Sequence, residues 1–167
     1  VDESRQPLLH GVEGLRGLPS GIQTAKFIRR ERIMPERTIS TMFDEDHERL
    51  DALFKSYQTL KRTDFPKAKS AFLEFRAGLQ RHVVWEEDVL FPLWERKSGM
   101  TGGGPTIVMR SEHQEIGDWL EAIHRKIQAQ NPDTEREEET LLDLLDRHNM
   151  SEEEVLYPEM DHIISSE

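Results

Sequence analysis

From Phe43 onward, apolar side chains recur at steps of three and four, the spacing that gathers them on one face of a helix. The first such segment is expected from about Thr41 to Arg62, with Phe43, Leu50, Leu53, Phe54, Tyr57 and Leu60 inward and Thr41-x-x-Asp44 as its capping box. A second opens at Asp64-Phe-Pro66, with proline in the first turn, and runs to about Lys97 with Phe72, Phe75, Leu79, Val89 and Leu93 inward. The run Gly99 to Pro105 breaks the pattern. A third segment, about Thr106 to Gln130, turns Met109, Ile116, Leu120, Ile123 and Ile127 inward. Asn131-Pro132-Asp133 ends it, and Thr134-x-x-Glu137 starts a fourth, carrying Leu141, Leu145, Leu156 and Ile163. Long amphipathic segments, short breaks and no strand-like alternation predict an all-α, antiparallel up-down-up-down four-helix bundle over residues 38–167. Residues 1–37 read as an N-terminal arm, rich in Gly and Pro at first, with a short basic helix from Ala25 to Met34 stopped at Pro35.

Polar residues interrupt these stripes in a repeating way. His82-Val-Val-Trp-Glu86-Glu87-Asp-Val-Leu-Phe-Pro92 recurs, 66 residues on, as His148-Asn-Met-Ser-Glu152-Glu153-Glu-Val-Leu-Tyr-Pro158. Thirty-five residues before each copy stands another histidine, His47 in Asp46-His47-Glu48 and His113 in Glu112-His113-Gln114. The chain is thus two pseudo-repeats, about 40–98 and 106–164, each contributing His, His and Glu to the inward faces. His10, His124 and His162 have no counterpart in the repeat and are read as non-ligands. Pro92 and Pro158 fall inside helical segments and are expected to bend them just beyond the Glu positions.

His82/Glu86 and His148/Glu152 are i, i+4 pairs, about 6 Å apart along the axis and on one face. A buried ionised Glu costs several kcal/mol unless a positive charge compensates it. The six inward residues His47, His82, Glu86, His113, His148 and Glu152 include no fixed cation, so a pair of metal ions is the expected compensation. Imidazole with carboxylate suits Fe, Mn or Zn. Carboxylates from opposing helices can bridge two such ions and leave positions open for an exogenous ligand. Glu87 and Glu153 also repeat, but lie about 100° around the helix from the ligand face, and are expected at the surface or supporting the ligands from behind.

The order His47 … His82-x-x-x-Glu86 … His113 … His148-x-x-x-Glu152 resembles the hemerythrin family, in particular its HHE cation-binding branch, over about residues 40–163. The resemblance implies a non-haem di-iron centre with carboxylate bridges in an antiparallel four-helix bundle. It is incomplete in two respects. Oxygen-carrying hemerythrins have a second His four residues after the third-helix His, where this chain has Gly117, and their last His precedes its carboxylate by five residues rather than four. This four-His, two-Glu arrangement implies two accessible iron ions, with Mn or Zn as substitutes, rather than simple oxygen transport.

Composition narrows the function classes. The chain has no cysteine, which excludes disulfides, thiolate metal sites and a cysteine nucleophile within these 167 residues. A net charge of −11 argues against nucleic acid as partner. The basic cluster Lys26, Arg29, Arg30 and Arg32 makes the arm a candidate surface for a protein partner. No apolar run is long enough for a membrane span and no signal peptide is visible, so a cytoplasmic location is expected. The chain starts at Val1 rather than Met, as it would if a segment preceded it. Three classes of function compete. One is a di-iron protein that binds or senses dioxygen, nitric oxide or iron. Another is an enzyme of peroxide or nitric oxide detoxification, or of iron–sulfur repair. The third is an interaction module whose metal is structural.

Overall fold

The computed structural model describes residues 37–165, and every described segment of regular structure is helical. Helix α1 spans Ile39–Leu60 and α2 spans Phe65–Trp85. A π-helical turn, Glu86–Leu90, joins α2 to α3 (Phe91–Ser98). After the glycine-rich break come α4 (Pro105–Gln128) and α5 (Glu135–Ser151), and a second π-helical turn, Glu152–Leu156, leads into α6 (Tyr157–Ser165). The short basic helix expected at Ala25–Met34, its cationic cluster and His10 lie outside the described residues.

Cross-helix contacts set the directions. Residue 47 meets 82 while Phe54 meets Phe75 and Tyr57 meets Phe72, so α1 and α2 run antiparallel. Pairs 87–113 and 76–121 oppose α2 to α4, pairs 113–148 and 126–137 oppose α4 to α5, and contacts 39–161 and 57–134 bring the last rod back beside α1. The result is a closed antiparallel bundle of four rods.

Local chemistry accounts for the ends. The first N-cap is Thr38 rather than Thr41: Thr41 is the third helical residue, and the two threonines cap each other's backbone N–H groups. Asp161, from α6, accepts hydrogen bonds from the backbone N–H groups of Ile39 and Ser40 and from the Ser40 hydroxyl, placing a carboxylate at the positive end of α1. Asp64 caps α2 through the Lys67 N–H, with Pro66 in the first turn as expected. Gly99 ends α3 in the left-handed region (φ 75°), which L side chains avoid, and Gly104 and Pro105 start α4.

At the prolines the hydrogen-bond ladder changes. At each π turn the backbone N–H of the next residue, Phe91 or Tyr157, donates to a carbonyl five residues back, at Glu86 or Glu152. Each helix thereby continues past its proline. One extra residue in the turn also advances every later position around the axis. Val89, expected inward, is 57 % exposed, and Leu93 and Ile163 are only half-buried, while Phe91, Trp94, Tyr157 and Met160 take the core positions.

Burial divides into two apolar clusters. One is centred on Phe54, Tyr57, Phe72, Phe75, Ile123 and Leu141, and the other on Phe43, Phe91, Trp94, Met109, Tyr157 and Met160. The inward His and Glu residues occupy the layer between them. Helix α1 shows the arrangement, with Phe43 in one cluster, Leu50 in the other and buried His47 between. Water is therefore excluded on both sides of the polar layer.

Candidate metal centre

All six inward residues come together. His47, His82, His113, His148, Glu86 and Glu152 are buried, both glutamates completely. The histidines form two pairs, with Nε2 of His47 3.1 Å from Nε2 of His82 and Nε2 of His113 3.1 Å from Nε2 of His148. The glutamates lie across both pairs. Glu86 Oε2 is 3.6 Å from His82 Nε2 and 3.2 Å from His113 Nε2. Glu152 Oε1 is 3.1 Å from His148 Nε2, and its Oε2 is 3.6 Å from His47 Nε2. Two overlapping sets of donor atoms follow, Glu86/His113/His148/Glu152 and His47/His82/Glu152, each close enough to serve one ion.

A carboxylate stands behind every histidine. Nδ1 of His47 meets Glu153 at 2.7 Å, that of His113 meets Glu87 at 2.8 Å, that of His82 meets Asp46 at 3.1 Å and that of His148 meets Glu112 at 2.9 Å. An ionised carboxylate only accepts, so each Nδ1 carries a proton, and whenever the ring is neutral its Nε2 lone pair faces inward. This is the tautomer a metal ligand requires, and the supporting carboxylate raises its basicity. Glu87 and Glu153 thus take the supporting place expected for them. Asp46 and Glu112 were not anticipated in this role, although their 66-residue spacing is the signal that could have found them.

Tyr157 is the third residue that sequence reasoning missed. Its hydroxyl lies 2.5 Å from Glu86 Oε1 and 3.0 Å from Glu152 Oε2. The repeat counterpart is Phe91, which has no hydroxyl and stacks on His113 with ring planes 7° apart. The Phe/Tyr difference between the two copies was the available clue, but a helix of uniform pitch turns residue 157 away from the site. Only the π turn brings it in. His124, by contrast, stacks on Phe72 and contacts Gln128, and belongs to neither donor set.

Without a cation the site carries internal strain of charge. Burial pushes the Glu86 carboxyl above its usual range, and the nearby Glu152 charge adds to that. Burial opposes ionisation of Glu152 too, yet the His148 hydrogen bond holds its carboxyl below the usual range. Burial likewise works against a charged His148, but the Glu152 and Glu112 carboxylates raise it to about 9. His82 is lowered, chiefly by burial. Glu86 Oε2 and Glu152 Oε1 are fully buried and lack a hydrogen-bond partner of good geometry. Buried carboxylate oxygens set against four imidazole rings, with no Lys or Arg in the layer, are the donor arrangement that a metal ion satisfies.

Fold and site together define a helical-bundle protein with a buried His/Glu cluster that could hold metal. Residues 38–160 match the hemerythrin HHE cation binding domain, and the chain belongs to that family. It is similar to the iron-sulfur cluster repair protein YtfE of Yersinia pseudotuberculosis, 38 % identical over 63 residues, which is 38 % of this chain and 27 % of the relative. It is also similar to the protein of that name from Cronobacter sakazakii, 41 % identical over 59 residues, covering 35 % of this chain and 27 % of the relative. The matched stretch therefore spans only about a quarter of the length of these relatives. No solved structure matches the chain. Among the described residues no helix is long and apolar enough to cross a membrane.

Proposed function

We propose that the site holds two iron ions, one at His47/His82 and one at His113/His148, with Glu86 and Glu152 shared between them, and that the protein binds or senses a small ligand such as dioxygen or nitric oxide. The observation that carries this reading is the placement of each glutamate across both histidine pairs, Glu152 presenting one oxygen to each. Such a carboxylate is suited to bridging, and a single ion would leave one imidazole pair unused. Bound iron would supply redox activity and open coordination positions. The chain supplies the rest. Four carboxylates orient the imidazoles, two apolar clusters exclude water, and the Tyr157 hydroxyl holds a proton against the shared carboxylates. Gly117 adds no side chain near His113 where a further ligand would otherwise stand, which supports an accessible centre.

The relatives support a second reading, iron–sulfur cluster repair, through the 59–63 residues they share with this chain. One experiment addresses both. Metal content and optical spectra are measured on anaerobically purified protein, then after air and after nitric oxide. Two irons per chain and a spectral change with either gas are expected. One metal per chain at saturation overturns the dinuclear assignment, and an unresponsive centre of full iron content overturns ligand binding. Restoration of a damaged iron–sulfur protein by the loaded chain is the result that would favour repair.

A further inference from the structure

The internal repeat gives the bundle two grooves at corresponding places, and their linings differ most in carboxylates, five in one and none in the other. Between α1 and α5 lies a groove of ≈ 540 Å³ whose lining includes Asp51, Asp143, Asp146, Glu153 and Glu154. Its counterpart between α2 and α4, ≈ 400 Å³, is mostly apolar, with Leu79, Val83, Val84, Ile116 and Leu120 beside His113 and Gly117, and Arg76 and Gln80 as its other polar residues. The repeat maps Asp51 onto Gly117, Asn149 onto Val83 and Asp146 onto Gln80, each 66 residues apart. Asp51 and Gly117 stand at the same step, four residues beyond a metal-site histidine. In one half that step carries a carboxylate. In the other it carries only hydrogen, and a Cβ built there meets nothing within 4 Å.

We propose that the α2/α4 groove is the route by which a small uncharged molecule reaches the metal centre, with Gly117 keeping it open. This rests on the reading of the centre as one that takes a diatomic ligand. His113 lines the groove, and its Nε2 is 3.2 Å from Glu86 Oε2, so the groove ends at a residue of the donor set. Neutral diatomic gases dissolve poorly in water and partition onto apolar surface, which the valine, leucine and isoleucine walls supply. The acidic groove holds hydration water on its carboxylates instead and repels anions. The two-fold symmetry of the ligands is therefore not matched by two-fold symmetry of access.

The test uses the iron-loaded full chain and its association rate with nitric oxide, followed by stopped-flow absorbance. Gly117 is exposed and helical, so larger residues fit there without disturbing the core. Gly117→Phe is expected to slow association about tenfold or more at unchanged iron content, while Asp51→Leu stays near the wild-type rate. A second readout needs no iron chemistry. In the zinc-loaded full chain, dissolved xenon is expected to shift the amide resonances of Val83, Ile116 and Gly117, and Gly117→Phe to abolish those shifts. Equal rates for wild type and Gly117→Phe, slowing by Asp51→Leu instead, or xenon shifts confined to the α1/α5 groove would each overturn the proposal. A wild-type centre that ignores nitric oxide while xenon still marks the α2/α4 groove refutes the ligand-binding reading and leaves the groove's preference for uncharged molecules standing.

Discussion

Replacing Tyr157 by Phe removes one oxygen atom from the centre of the molecule and makes position 157 identical to its repeat counterpart, Phe91. The ring itself has apolar company in Phe43, 4.9 Å away between centroids, and the counterpart pocket shows that phenylalanine fits the same step in the other half. What is lost is the hydroxyl, 2.5 Å from Glu86 and 3.0 Å from Glu152. The phenol has one hydrogen, so it serves one carboxylate at a time, and a single hydrogen bond to a charged buried group is at stake. Such a bond contributes about 1.5–3 kcal/mol. For a chain of this size, a loss of about 2 kcal/mol corresponds to a fall in Tm of about 4–8 °C. Urea unfolding of the metal-free full chain near neutral pH, wild type against Tyr157→Phe, measures it directly. The midpoint should move while the denaturant slope stays fixed, because packing and exposed area are unchanged. A difference below about 0.5 kcal/mol, the level of an ordinary surface substitution, would refute the claim that this hydroxyl sustains the carboxylate pair.

Two further outcomes follow from the buried charges. In the metal-free chain, Glu86 and His148 (about 9 against an ordinary 6.5) are raised, so their stabilising contribution is full at low pH and is lost as pH climbs through their folded values. Glu152 is lowered from 4.5 and contributes only above that value, whereas lowered His82 works in the opposite sense to His148. Metal-free stability is therefore expected to peak between pH 4.5 and 6.5 and decline toward 9, and a Tm rising steadily from pH 6 to 9 would contradict this. At the far end of the bundle Lys61 is buried, bonded to Glu138 at 2.6 Å and Glu135 at 2.9 Å. Lys61→Met leaves the buried Glu138 with hydrogen bonds from Gln58 and Thr134 but without its cation, and should cost about 3 kcal/mol in chemical denaturation, part of it recovered by adding Glu138→Leu. A double variant as weak as the single one would show that the pair is not the source.

Much of the centre was legible in the sequence because helix faces are set locally. A residue's place on a face depends on its spacing from its neighbours, and the recurrence of His, His and Glu at 66 residues marked all six inward positions without any knowledge of the partner helix. The same holds for the four rods and for Asp64 as a cap, which depend on residues within one turn of each other. Extrapolation at constant pitch failed beyond Glu86 and Glu152. Proline there signalled that the hydrogen-bond ladder must change, but not that it would change by inserting a residue, and one inserted residue is enough to turn Val89 out and Tyr157 in. Other features belong to the tertiary structure alone. The bonding of Asp161 to the start of α1 and the placing of Asp46 and Glu112 behind histidines of other helices join residues 35 to 122 positions apart, as do the Nε2 pairs themselves. Helical periodicity carries no information at that range, so these contacts were decided only when the four rods closed on one another.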